Sequence, residues 1–451
     1  MKRSIDMVNG PILGKILLFS LPLMASNILQ LLFNAVDIVV VGRFAGHTSL
    51  AAVGSTTSIV NLFTNLLIGM SVGVNVIVAR FFGQGFHEKE ISKALHTAVF
   101  VAIVGGGLLG GLGFAAAPAI LRWMEAPPDT YPLTLLYLRI YFCGTPFVMC
   151  YNYGAAALRA QGDTRRPLVY LTVSGVLNLV LNLIFVIVFE MNVAGVALAT
   201  VISQLVSGGL VLRYLGRCDG ALRFSWKLVR PDRGSFVSIA RVGIPAGVQG
   251  CLFSLSNVVI QGAINSYGST VMAGSSASIS IENFIYASLN AFHHACQTFV
   301  SQNVGAGRQE RIGPIVRRCL GCQLFIGTVL CTLVVTFRAQ LIGIYNADPA
   351  VIAVGCQRLA IIALPYMLLG ADDVLTGAIR GCGVSLAPVI INLVGTCGLR
   401  LLWISLLDTS VYGVEYVYFS YPMSWSVVLV CLTACYLWIR HKQKKERETL
   451  C

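Results

Sequence analysis

Long apolar runs alternate with short polar joints along the whole chain, and a membrane-spanning helix needs about 20 mostly apolar residues. Reading for such runs predicts twelve spans, at 12–42, 49–79, 91–121, 132–158, 167–190, 192–215, 235–266, 270–300, 312–337, 350–379, 386–407 and 414–439. The joints carry turn signals such as Gly83-Gln84-Gly85, Pro127-Pro128 and Gly305-Ala306-Gly307. The longest polar connection runs from Gly216 to Gly234, at the chain's midpoint. The first run, Ile12 to Val41, is too long for the apolar core of a cleaved signal, so it is expected to stay in the membrane. Pro22, Pro146, Pro245 and Pro365 fall inside spans, where a proline frees a carbonyl and bends the helix.

Composition agrees with this pattern. Of 451 residues 56% are hydrophobic and only 11% charged, against about 25% charged in soluble domains, and mean hydropathy is +0.77. These values exclude an ordinary soluble enzyme, a disordered chain and a disulfide scaffold. The net charge of +13 is topological and calls for no nucleic-acid partner. With both termini cytoplasmic, Lys2, Arg3, Lys15, Arg80, Lys89, Lys93, Arg159, Arg165, Arg166, the linker cations, Arg308, Arg311, Arg317, Arg318, Arg380 and the tail lie inside. The outer side keeps Arg43, Arg122, Arg139, Arg338 and Arg358, with Arg400 left inside a span. That asymmetry is the positive-inside pattern of an even number of spans. The 14 cysteines sit mostly in apolar runs and read as packing residues.

The two halves resemble each other at an offset of about 220 residues. Ser20-Leu21-Pro22 with Asn34 matches Gly243-Ile244-Pro245 with Asn257, and Ala157-Leu158-Arg159 with Pro167 matches Ala378-Ile379-Arg380 with Pro388. The predicted fold is all-α integral membrane, with twelve transmembrane helices in two pseudo-symmetric six-helix bundles. The boundaries predicted are an N-lobe at 1–215, a cytoplasmic linker at 216–234, a C-lobe at 235–440 and a basic tail at 441–451. Parallel repeats of this kind are a transporter architecture.

Ionisable groups inside a bilayer are costly and usually functional. Asp37 ends the series Asn27, Gln30, Asn34, Asp37, whose spacing puts four polar residues on one helix face with no Lys or Arg near the acid. Span 5 offers Ser174, Asn178 and Asn182 at steps of four, and span 6 offers Thr200. A carboxylate with amide and hydroxyl oxygens suits a hard cation such as Na+. Alternatively the carboxylate takes up a proton, since desolvation favours the neutral acid. In the second half Glu282, Asp372 and Asp373 lie within apolar sequence, Gln249, Asn257 and Gln261 lie on span 7, and Tyr286, Asn290, His293 and Gln297 follow Glu282 at helical steps. Asp373, with Thr376 and Arg380 on its face, is readable as a salt-bridged structural acid. His293-His294 with Cys296, and Cys319 with Cys322, match no zinc spacing, so no metal is expected beyond Na+ at Asp37. Phe33, Tyr151, Phe284 and Tyr286 are candidate cation–π partners for a flat cationic cargo. No nucleophile–base set, Walker loop or ATPase module is found, so uphill transport would draw on an ion gradient.

Ser20-Leu-Pro22, Phe33-Asn34-Ala-Val-Asp37, Gly42 and Ala51-Ala52-Val53-Gly54 resemble the start of multidrug and toxic compound extrusion (MATE) transporters. So do Ala157-Leu-Arg159-Ala-Gln-Gly162-Asp163 with Pro167, Val193-Ala-Gly195-Val-Ala197-Leu-Ala199-Thr200 with Gln204, and Ser301-Gln302-Asn303-Val-Gly305-Ala-Gly307 with Arg311. The likeness spans about residues 10–440 and is closer to DinF-like and related bacterial members than to the NorM branch. It implies a two-lobed, V-shaped, twelve-helix exporter exchanging Na+ or H+ for amphipathic, often cationic drugs. It also implies that Asp37 is the N-lobe coupling acid, with Asn178, Asn182 and Thr200 as partners. Many members carry Asp where this chain has Asn182, and the span-7 acid of the NorM branch falls near Phe253 here.

The resulting expectation is a secondary active exporter in the plasma membrane, working by alternating access as a monomer, with no cofactor besides the coupling ion, Na+ or H+. The coupling set is Asp37, Asn34, Asn178, Asn182 and Thr200, with Glu282, Asp373, Gln249 and Asn257 as second-lobe candidates. Asn27, Gln30, Tyr151, Tyr286 and Asn290 are expected to line the substrate cavity. The rival readings are a flippase for lipid-linked precursors, which would want an arginine-lined cavity, a membrane-embedded enzyme and a passive channel.

Overall fold

In the computed structural model of the protein, residues 4–85, 88–124, 127–406 and 412–450 are described, and every regular element among them is helical. Lys2 and Arg3, counted above toward the inner side, lie outside the described residues. Twelve long helical rods follow the chain. They are α1 (Ile12–Phe44), α2 (Gly46–Gly83), α3 (Glu88–Trp123), α4 (Tyr131–Cys143 continued by Thr145–Gln161), α5 (Arg165–Val188) and α6 (Asn192–Arg217). The second six are α7 (Arg233–Asn265), α8 (Ser269–Gly305), α9 (Gln309–Thr336), α10 (Pro349–Ile362 continued by Tyr366–Gly381), α11 (Leu386–Leu406) and α12 (Val414–Leu450).

Nine of these are long and apolar enough to cross a membrane singly, and eleven if the bent α4 and α10 each count as one span. The twelfth, α8, has the length but not the apolarity, because its face of Ser, Asn, His and Gln dilutes the run. Such a helix is tolerated when its polar face is covered by other helices. Ser275, Ser278, Gln297, Ser301 and Asn303 of α8 are all fully buried. The bends of 44° in α4 and 47° in α10 fall at Pro146 and Pro365, as a proline's missing N–H and ring clash require.

The chain forms two compact units. One comprises Met1–Ile5 and Ala25–Gly247, the other Asp6–Met24 and Val248–Cys451. The divide therefore does not fall in the polar linker. It falls within α1, just past Pro22, and within α7, just past Pro245. The first turns of α1 pack in the second unit, where Phe19 meets Phe299 edge-on at 5.7 Å and Met7 O accepts from Asn303 Nδ2 at 3.1 Å. The first half of α7 packs in the first unit. There, a Cβ on Gly69 of α2 would stand 2.1 Å from Gly247 N, so only a glycine permits that approach.

The linker is ordered. Asp232 caps α7, its Oδ2 accepting from Ser235 N at 2.8 Å, while its own N–H donates to Thr97 Oγ1 at 3.0 Å. Ser225 N donates to His96 Nε2 at 3.0 Å, and the Phe224 ring stacks on His96. Phe224 is buried with Leu215 and Leu222 against the first unit's core. Burying such a ring stabilises the strap by about 2 kcal/mol.

Candidate functional site

In the first unit α1, α5 and α6 bring four predicted residues into one hydrogen-bonded chain. Asn182 Nδ2 donates to Asp37 Oδ1 at 2.5 Å and to Asn178 Oδ1 at 3.2 Å. Asn178 Nδ2 donates to Thr200 Oγ1 at 3.4 Å, and Thr200 spends its own proton on Val196 O at 3.0 Å. Asn178 and Asn182 lie one turn apart, which is why their side chains meet. A glycine makes room for the approach of α1: a Cβ on Gly175 would sit 1.9 Å from the Phe33 ring, and Phe33 is one turn before Asp37. Immediately after Asn182, α5 widens into a π-turn at Ile184–Val188, an irregularity frequent at functional sites.

The electrostatics of this chain are unusual for their neutrality. Asp37 is half-buried, and among the described residues no Lys or Arg bears on it and its hydrogen-bonding partner, Asn182, is uncharged. Asn182 is fully buried, and its Oδ1 has no hydrogen-bond partner. A carboxylate and an amide oxygen are both hard oxygen donors, of the kind that suit small hard cations. Asn34, one turn before Asp37, is left uncovered by protein and makes no hydrogen bond among the described residues. Gln30 is likewise uncovered and Asn27 is half-buried. Tyr151 gives its hydroxyl to Pro167 O at 3.1 Å, tying α4 to α5. Tyr137, which sequence reasoning passed over, lies near enough for its hydroxyl to feel the Asp37 charge.

The second unit handles its acids differently. Glu282 of α8 is held by Arg358 of α10 through two hydrogen bonds, Nε to Oε1 at 2.8 Å and Nη2 to Oε2 at 3.0 Å, with both side chains buried. The guanidinium also lies over the rings of Tyr418 and Tyr421. Arg358, assigned to the outer side by the charge count, is covered by protein. It is 1% exposed within the helix bundle, because Glu282 and two tyrosines replace its hydration. Arg400 is buried likewise, donating to Ser424 Oγ at 2.8 Å beneath Tyr421 and Trp425. It is also the cation whose charge reaches the buried Asp372.

Asp373 anchors a separate cluster. Asn290 and Tyr286 of α8 lie beside its carboxylate, whose Oδ2 is buried with no hydrogen-bond partner, its carbonyl oxygen lies 2.6 Å from His293 Nδ1, and Arg380 is near enough for its charge to bear on it. Arg380 Nη2 donates to Gln249 Oε1 at 2.7 Å, and Asn290 Nδ2 to Tyr286 Oη at 3.3 Å. Five predicted residues therefore meet here: Gln249, Tyr286, Asn290, Asp373 and Arg380. Asn257 does not join them; it is uncovered and makes no hydrogen bond among the described residues. No group of three or more His, Cys, Asp or Glu among the described residues is placed to hold a metal ion.

The sequence model of the MatE family matches residues 22–184 and 245–404, once in each half of the chain. The chain belongs to the MatE family. Among its relatives, the probable multidrug resistance protein YpnP of Bacillus subtilis is 29% identical over 400 residues, covering 88% of this chain and 89% of the relative. The probable multidrug resistance protein YoeA of the same organism is 25% identical over 438 residues, covering 95% and 94%. A solved structure of MATE in complex with MaL6 superposes with a TM-score of 0.90 at 19% identity over 99% of this chain and 100% of that one. The last likeness establishes the fold of a multi-pass MATE transporter, and the two matched segments are the repeat read from the two halves.

Proposed function

We propose that this MATE protein is a secondary active exporter of cationic amphipathic compounds, driven by exchange for Na+ or H+, with Asp37 carrying the coupling cation. One observation supports it above the rest. Asp37 hydrogen-bonds to a neutral partner, Asn182, and that partner keeps a buried oxygen with no hydrogen bond among the described residues. In water the carboxylate would be stable as it stands; within a membrane its charge demands a counter-charge. Na+ would be held by Asp37 and Asn182, with Asn178 and Thr200 orienting the amide; a proton would instead sit on the carboxylate. Binding of either removes the net charge, and a cationic cargo competes for the same carboxylate. That competition is the requirement of an exchanger.

Glu282 stands outside the coupling set in this reading, since its charge is already matched by Arg358. The Asp373 cluster supplies hydrogen-bonding and aromatic contacts to cargo. The flippase reading is favoured less, because Arg358, Arg380 and Arg400 each make a side-chain hydrogen bond within the second unit, although each also keeps one buried nitrogen without a partner.

The test is ethidium efflux from proteoliposomes under an imposed proton gradient and, separately, a sodium gradient, with Asp37→Asn alongside. Wild type should pump under one gradient and the variant under neither, which names the ion. Efflux by the variant equal to wild type, or none by wild type, sinks Asp37 as the coupling residue.

A further inference from the structure

The ordered linker and the end of α6 enclose an open pocket of about 630 Å³. Arg213 reaches it from α6, and Arg223 and Lys227 from the linker; no acidic residue is among its lining, and the nearest acid along the chain, Asp219, is not part of it. All three cations are exposed, and none of them makes an ion pair or side-chain hydrogen bond among the described residues. The contrast with other basic residues is direct: Arg166, Arg311, Arg358, Arg380 and Arg440 all donate to named oxygens.

The pocket is held open by its own construction. Phe224, fixed by its N–H to Leu215 O at 2.9 Å and by its stack on His96, forms part of the floor. Gly209 and Gly216 add no bulk; a Cβ on Gly209 would meet nothing within 4 Å. One wall, Gly209 and Leu212, belongs to a helix apolar enough to span the membrane. The lining also includes Trp226, 66% exposed and packed edge-on against Phe224 at 5.0 Å. Exposed Trp beside free cations at a span's end marks the headgroup level of a bilayer.

We propose that this pocket binds a phosphate ester, that of an anionic membrane lipid, with Arg213, Arg223 and Lys227 on the phosphate and the Gly209–Leu212 wall against the acyl chains. Guanidinium forks suit phosphate oxygens in pairs. The same cations would accept a soluble phosphate, so the sources must be separated experimentally.

Native mass spectrometry of the full-length protein in detergent, titrated with phosphatidylglycerol or phosphatidylcholine, makes the test. Wild type should retain phosphatidylglycerol in preference, and Arg213→Gln/Arg223→Gln/Lys227→Gln should lower that retention about tenfold or more. Gly209→Trp, which fills the groove and leaves the charges, should lower it as well; it keeps the proposal testable should the triple variant fail to fold. Inorganic phosphate at millimolar concentration should not displace the lipid. Full displacement by phosphate, equal retention of the two lipids, or undiminished retention in either folded variant overturns the assignment.

Discussion

The two units bury Asp37 and Glu282 in opposite ways. In the first, Asp37 faces Asn182, Asn178 and Thr200, all neutral. In the second, Glu282 is clamped by Arg358 in a buried ion pair, whereas the adjacent Asp372 and Asp373 make no ion pair among the described residues and keep buried oxygens without a hydrogen-bond partner. A matched charge is fixed in place, because separating a buried pair leaves each ion without solvation. An unmatched one must recruit its counter-charge from outside. On the function proposed above, an acid would serve as scaffold at Glu282 and as exchange site at Asp37, with the partner distinguishing them.

The largest effect that would break this contrast concerns the Glu282 pair. Arg358→Met alone should destabilise the protein by about 3–5 kcal/mol, whereas Glu282→Leu with Arg358→Met should recover most of that loss. Thermal unfolding in detergent reads both, and transport per folded molecule should survive in the double variant. Loss of gradient coupling in a stable double variant would make Glu282 a second exchange site. Next in size is Gly175→Ala, whose added methyl collides with the Phe33 ring. Overpacking there should cost about 2 kcal/mol and, by drawing Asp37 away from Asn182, reduce efflux; unchanged efflux would show that the α1–α5 approach does not position the acid.

A smaller change sharpens the comparison. Asn182→Asp places a second carboxylate beside Asp37 and should lower the half-saturating concentration of the driving cation several-fold, about 1 kcal/mol in binding. An unaltered or raised half-saturation in transport assays would argue that the coupling ion does not touch position 182. The smallest effect lies outside the membrane. The backbone N–H of Ser235, with its side chain, holds the Asp232 carboxyl below the usual carboxylate range, and Lys93 adds to this. A depressed acid contributes stability above its unfolded titration range and loses it as pH falls through its folded one. Unfolding temperatures of wild type and Asp232→Asn should therefore differ at neutral pH and converge on acidification.

Much of this arrangement is legible in the chain. Runs of about 20 apolar residues locate the rods, and polar residues at three- and four-residue steps single out Asp37, Asn178 and Asn182, because a polar stripe within an apolar helix must face something polar. The same logic picks out Glu282 but not its partner, which is 76 residues away. Hydropathy measures how apolar a segment is, not which side chains are covered by neighbouring helices, so the burial of Arg358 is not legible in the sequence. The linker reads as a polar joint, yet Phe224 and His96 fasten it to the first unit. An aromatic residue between two basic ones was the available signal. Nor does periodicity tell which neighbours each half of one helix will have, so the division of α1 and α7 beyond Pro22 and Pro245 escaped it.

That division bears on ancestry. The opening turns of α1 belong with the second repeat, and those of α7 with the first. A six-helix forebear folding alone would have left the start of its first helix without a packing partner and the matching surface of its bundle bare. Two such chains exchanging helix starts would have covered both surfaces. Coexpressed as separate halves cut within the linker, the two segments should still find each other, since neither contains a complete unit.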